Sequence, residues 1–86
     1  MSIEKLDQID PSTASYKVLC HLAFRGQVQK PQEIAEQIGE NGSSVRARLA
    51  ELKKQGLVEA LPEGYISKVT PYEIIIKIYR DFGRRK

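Results

Sequence analysis

Ile38-Gly39-Glu40-Asn41-Gly42-Ser43-Ser44-Val45-Arg46-Ala47-Arg48-Leu49-Ala50-Glu51-Leu52 is the stretch whose reading decides the fold. Val45, Leu49 and Leu52 recur at i, i+4 and i+7, the narrow apolar seam of a helix. At about 100° per residue, Ser43, Arg46, Ala47, Ala50 and Lys54 point away from that seam. Asn41 has the side chain of a helix cap, able to accept from the free amides of the first turn. Gln55-Gly56 ends the helix, and Gly39-Glu40-Asn41-Gly42 joins it to whatever precedes.

What precedes reads as a second helix. Pro31 suits a first helical position, Glu33 favours the positive end of the dipole, and Ile34, Ala35 and Ile38 share one face that stops at Gly39. Val28 lies in a short connection that has room for a strand of two or three residues. Further upstream, Asp10-Pro11 is expected to start another helix, with an inward stripe of Tyr16, Val18, Leu19, Leu22 and Ala23 and a stop at Arg25-Gly26. Ile3, Leu6 and Ile9, spaced by three, suggest a short helix or docked arm.

Downstream, Leu57-Val58-Glu59-Ala60-Leu61 and Tyr65-Ile66-Ser67-Lys68-Val69 read as strands around the turn Pro62-Glu63-Gly64, a β-hairpin. Thr70-Pro71-Tyr72-Glu73 has the form of a capping box with proline at the first helical position. The helix it opens is expected to turn Ile74, Ile75, Ile78 and Phe82 inward, with Ile76 and Tyr79 outside that stripe. The fold class that follows is mainly α with a small β-hairpin. A hairpin is not stable alone, so it must share one core with the helices.

In this order the residues resemble a winged helix-turn-helix: Glu33-Ile34-Ala35, a tight turn, Val45, Leu49 and Leu52 at their spacing, then Lys53-Lys54-Gln55-Gly56-Leu57-Val58. The likeness is to the MarR- and ArsR-like transcription regulators of bacteria and archaea. It covers residues 30–69, about half the chain. It implies one domain over residues 1–86, with a three-helix core. The helix-turn-helix spans about 31–55, the two-stranded wing about 57–69 and the C-terminal helix about 71–82. Ala35 is small where the two helices of the motif cross closely. Glu40 departs from the pattern, which has an apolar residue there, and implies a more exposed turn.

The resemblance also implies a function. The third helix of such domains lies in the DNA major groove, its outward residues on bases and its flanks on phosphates. Carried onto this chain, the base-contact candidates are Ser43, Ser44, Arg46 and Ala47. Arg46 can bridge guanine O6 and N7, and Ala47 can touch a thymine methyl. Ser43 and Ser44 serve equally as helix-start residues. The phosphate-contact candidates are Lys30, Gln32, Arg48, Lys53, Lys54 and Lys68. Of these, Lys53 and Lys54 read equally as solvated residues. The hairpin argues the other way: its tip, Pro62-Glu63-Gly64 with Glu59 nearby, is acidic and unsuited to a minor groove.

The last helix has more apolar surface than one small core uses, which commonly indicates an interface. In the resembled regulators terminal helices often build a twofold dimer, and Ile75, Ile76, Tyr79 and Phe82 are the dimer-interface candidates. Two recognition helices would then meet major grooves about 34 Å apart. The expectation is therefore a homodimeric regulator of transcription binding double-stranded DNA in a sequence-specific way, with repression the simplest output. The alternative is a winged helix used for protein–protein interaction within a transcription or replication complex. RNA binding is a third reading, without a platform of exposed aromatics to support it.

Composition bounds these readings. The chain has 86 residues with 41% hydrophobic and 29% charged, the profile of one small globular domain. Its net charge of +3 is unevenly placed. Residues 41–58 carry four basic side chains against Glu51, and residues 76–86 carry five against Asp81, whereas the intervening and preceding segments are each net acidic. Clustered positive charge suits a polyanion, and equally a solvated helix face. No apolar run approaches the ~20 residues of a membrane span, and the first residues lack the apolar core of a signal peptide. Cys20 is the one cysteine, which excludes an internal disulfide and a multi-cysteine zinc site and suits a cytoplasmic location. It sits beside the one histidine, His21, and neighbours in sequence do not face each other on a helix. No metal, cofactor or catalytic role is expected.

Overall fold

The computed structural model describes residues 13–84. The element order is α1 (Ala14–Arg25), α2 (Pro31–Ile38), α3 (Gly42–Lys54), β1 (Val58–Leu61), β2 (Gly64–Ser67) and α4 (Pro71–Arg84). The architecture is mainly helical with one two-stranded antiparallel hairpin.

Local chemistry sets the boundaries. α1 is described from Ala14, where Thr13 is extended and its hydroxyl takes the Tyr16 amide, and the helix start expected at Asp10-Pro11 lies outside the described residues. The expected arm around Ile3, Leu6 and Ile9 lies outside the described residues. α2 opens at Pro31, where the Glu33 carboxylate reaches back 2.9 Å to the Lys30 amide, and it closes on Gly39 in the left-handed conformation. Asn41 caps α3 by accepting from the Ser43 and Ser44 amides at 2.8 and 3.4 Å. The expected capping box of α4 is complete: Thr70 Oγ1 accepts from the Glu73 amide and Glu73 Oε1 from the Thr70 amide. These caps satisfy amides that a helix leaves without internal partners.

The hairpin pairs Val58 with Ser67 and Leu61 with Gly64, leaving Pro62-Glu63 as a two-residue turn. β2 ends earlier than Val69 because the Ser67 hydroxyl takes over the Val69 amide at 2.9 Å. On its other side β2 meets the connection between α1 and α2. Gln29 and Tyr65 exchange two backbone hydrogen bonds of 2.9 and 2.8 Å. The short strand expected near Val28 is therefore a single bridge at Gln29.

One core joins these elements. Val18, Leu19 and Leu22 of α1 meet Ile34 of α2, Val45, Leu49 and Leu52 of α3, Leu57 before β1 and Ile74 of α4, all fully buried. Each such side chain contributes on the order of 1.5–3 kcal/mol by leaving water. Of the buried polar residues, Ser15 is bonded to Glu51, Glu73 to Thr70 and Lys77 to Asp81, while Gln29 Nε2 donates to Gln37 and its buried Oε1 has no partner among the described residues.

α4 overturns one expectation. Of the stripe Ile74, Ile75, Ile78 and Phe82, only Ile74 faces the core. Ile75, Ile78 and Phe82 are exposed, together with Tyr72 and Tyr79, and the side turned to the molecule carries Glu73 and Lys77. The reason is that α1, α3 and the hairpin already close the core. α4 packs chiefly along α1 and needs only one aliphatic plug. Its apolar period is real, but it points to water.

Candidate nucleic-acid interface

α3 spans 13 residues, or about 20 Å of helix. Val45, Leu49 and Leu52 hold its inner seam against α1 and α2. That leaves Ser43, Arg46, Ala47, Ala50, Lys53 and Lys54 exposed as one stripe at helical spacing along its outer side. Two alanines in the middle keep the stripe low between a cationic start and a cationic end.

The charges on this stripe are uncommitted to protein. Arg46, Lys53 and Lys54 form no ion pair among the described residues. Glu51, the one acid of the helix, is tied on both oxygens: Oε1 accepts from Ser15 Oγ at 3.2 Å and Oε2 from Arg48 Nη1 at 3.4 Å. Arg46 Nη1 lies 3.6 Å from where a Cβ at Gly42 would stand, so the guanidinium folds back over the first turn of the helix.

The remaining candidates fall in different places. The Ser43 hydroxyl donates to Asn41 Oδ1 at 2.6 Å, which spends its proton on the cap and leaves its oxygen to accept. Ser44 is half-buried at the edge of the stripe. Arg48 is also half-buried, bent toward Glu51, with its Nε enclosed and without a partner among the described residues. Lys30 and Gln32 sit at the start of α2 beside Glu33 and Glu36, and Gln32 leans on Glu36 at 3.5 Å. Lys68 is exposed after β2, while Glu59 and Glu63 keep the hairpin's exposed side acidic. The structure thus brings Ser43, Arg46, Ala47, Lys53 and Lys54 onto one face and leaves Lys30, Gln32 and Lys68 on other elements. The dimer-interface candidates Ile75, Tyr79 and Phe82 are exposed, and Ile76 is half-buried.

An open groove of about 630 Å³ runs between the second half of this stripe and the hairpin, lined by Ala50, Glu51, Lys53, Lys54 and Tyr65. Periodicity put Ala50 on the outer side of α3 but could not bring Tyr65 next to it. That neighbourhood depends on the hairpin folding back along α3. The departure at Glu40 also has its explanation: Lys17 Nζ of α1 lies 3.2 Å from the carboxylate, so the charge in the turn is answered from the neighbouring helix.

Elsewhere the described residues offer little for chemistry. His21 Nε2 lies 2.6 Å from Gln37 Oε1, which also accepts from Gln29 Nε2 at 3.1 Å. Burial pushes the Cys20 thiol up, and it pushes the neighbouring Tyr16 phenol up to about 12. Both shifts suit inert core positions rather than an activated nucleophile. No group of three or more His, Cys, Asp or Glu among the described residues could hold a metal ion, and no helix there is long and apolar enough to cross a membrane. Comparison of the chain with protein-family models, with curated proteins and with solved structures finds no match.

Proposed function

We propose that this chain is a winged helix-turn-helix domain that binds double-stranded DNA and regulates transcription, with α3 in the major groove. The observation that carries the reading is the outer stripe of α3, where Arg46, Lys53 and Lys54 are exposed and unpaired and the lone acid is turned aside onto Ser15 and Arg48. Free cations along one helix face attract phosphates, and a helix about 10–12 Å across fits a major groove about 12 Å wide. Ala47 and Ala50 let the backbone approach base edges closely. Arg46 supplies the bidentate donor for guanine, with Lys53 and Lys54 on phosphates. The role is non-catalytic. A protein-binding winged helix is the second reading, favoured by Glu59 and Glu63 on the exposed side of the hairpin.

Binding to mixed genomic duplexes, titrated against salt and followed by selection of enriched sequences, tests the reading. The expected result is salt-sensitive binding with an enriched site. Arg46→Ala should lower the preference for that site by about 10- to 100-fold, the worth of one bidentate base contact. Lys53→Ala with Lys54→Ala should instead flatten the salt slope by nearly two, at about 0.9 per phosphate contact. No binding at ~50 mM salt would overturn DNA binding in favour of the protein-interaction reading.

A further inference from the structure

We propose that the free edge of β1 is a docking site for an extended, positively charged peptide segment of another protein, which pairs antiparallel with β1 as a third strand. The site uses no side chain assigned to DNA, so it holds or fails independently of that reading.

The two strands of the hairpin differ at their outer edges. That of β2 is occupied: Tyr65 accepts from the Gln29 amide at 2.9 Å and donates to the Gln29 carbonyl at 2.8 Å. Both backbone groups of Tyr65 therefore point away from β1. In an antiparallel pair, directly opposed residues exchange both bonds or neither. Ala60, opposite Tyr65 in the register, exchanges neither, so its own amide and carbonyl point out of the hairpin on the β1 side. Neither group finds a hydrogen-bond partner among the described residues, and Ala60 is exposed. An unpaired edge of this kind is a template for one more strand. Val58 is buried on one side of it, and Pro62 has no amide to offer on the other. The reachable edge is thus a few residues long, centred on Ala60.

Charge decides the occupant. Glu59 and Glu63 flank this edge, both exposed, and neither forms an ion pair among the described residues. Opposite charges across two strands stabilise pairing, and like charges oppose it. Proteins guard strand edges with charge. A guard of one sign is selective: it turns away acidic strands, and it turns away β1 of a second copy, which would gather the glutamates of both chains along one seam. A strand bearing lysine or arginine is admitted.

Alternation fixes the order of its residues. The incoming residue opposite Ala60 exchanges two bonds with it. The next residue lies beside Glu59, and the one before lies beside half-buried Leu61. The favoured order is apolar, β-branched, basic, with a second basic residue upstream near Glu63.

The probe is the peptide acetyl-Lys-Thr-Ile-Val-Lys-Thr-amide, titrated into the isotope-labelled full chain and followed by amide NMR. It should saturate with a dissociation constant on the order of 0.1–1 mM, shift the Ala60 amide most and slow its hydrogen exchange. Methylating the nitrogen of the peptide's valine removes the donor to the Ala60 carbonyl and should weaken binding about 10-fold. Glu59→Lys changes an exposed side chain and should weaken binding about 5- to 10-fold, and replacing the peptide's second lysine by glutamate should restore it. Ala60→Pro deletes an amide that the hairpin does not use, so it should abolish binding with far-UV dichroism unchanged. No shift at ~5 mM peptide, or shifts centred on α3 or α4, would overturn the proposal. A methylated peptide that binds like its parent would overturn the third-strand geometry. A Glu59→Lys chain that still prefers the basic peptide would overturn the assigned partner.

Discussion

Gly64→Ala tests how the hairpin is anchored. Gly64 begins β2 with φ +148°, and a Cβ there would stand 2.5 Å from the Gln29 carbonyl oxygen and 2.7 Å from its carbon. Both are backbone atoms, so no rotamer change relieves the clash. The connection between α1 and α2 would have to retreat by about 0.9 Å to reach ordinary contact. The two hydrogen bonds between Gln29 and Tyr65 span the same gap at 2.9 and 2.8 Å and would stretch toward breaking. Losing both costs about 2 kcal/mol, and a side chain at this φ adds about 1–3 kcal/mol. Lower entropy of the unfolded alanine chain returns about 0.5–1 kcal/mol. The expected net loss is about 3 kcal/mol. Gly39→Ala is the control, since its φ is +71° and a Cβ there meets nothing within 4 Å. It should lose only the left-handed strain of about 1–2 kcal/mol. Urea unfolding at one fixed protein concentration reads the difference, with a slope near 1 kcal/mol/M for a chain this small. If Gly64→Ala unfolds within ~0.5 kcal/mol of Gly39→Ala, the close approach at Gln29 does not hold the hairpin and the reasoning fails.

Two further outcomes follow from single side chains. Asn41→Ala removes the acceptor of two α3 amides, so thermal unfolding should fall by about 4–8 °C for a loss of about 1 kcal/mol; an unchanged midpoint would show that water replaces the cap in full. Tyr16 should ionise only as pH rises through about 12 in the folded chain against 10.0 when unfolded, so its contribution is intact below pH 10 and is lost between those values. Ultraviolet titration should show a late phenolate component that Tyr16→Phe abolishes. If that variant titrates like the parent, the phenol is not desolvated.

How far the residues announce the structure depends on how local each signal is. Asn41 and the Thr70–Glu73 pair act within one helical turn, and each cap forms as its spacing suggests, whereas Glu33, read only as a dipole partner, also reaches back to the Lys30 amide. The seam of Val45, Leu49 and Leu52 is likewise a property of one helix, so the outer stripe with Arg46 could be read from it directly. Periodicity failed at α4, because it finds an apolar stripe without saying which side of the helix the molecule occupies. The information that settles it lies elsewhere: the core is already filled by leucines of α1 and α3 and by Leu57. Contacts such as Lys17 with Glu40, Ser15 with Glu51 and Gln29 with Tyr65 join residues 23, 36 and 36 positions apart, beyond any local pattern.

The two outward surfaces explain each other's composition. A helix can turn its apolar side to water only if the opposite side is welcome in the interior, and the underside of α4 meets that condition. Glu73 is engaged by Thr70, Lys77 by Asp81, and Ile74 alone enters the core. An unanswered lysine at that depth would cost several kcal/mol, enough to rotate the helix or release it. The ion pair therefore stabilises an orientation as well as a contact. α3 follows the opposite rule: its leucines are spent inward, its acid is tied to Ser15 and Arg48, and its free cations remain outside. Exposed apolar surface is thus concentrated on α4 and unpaired positive charge on α3, so the two helices offer chemically different faces.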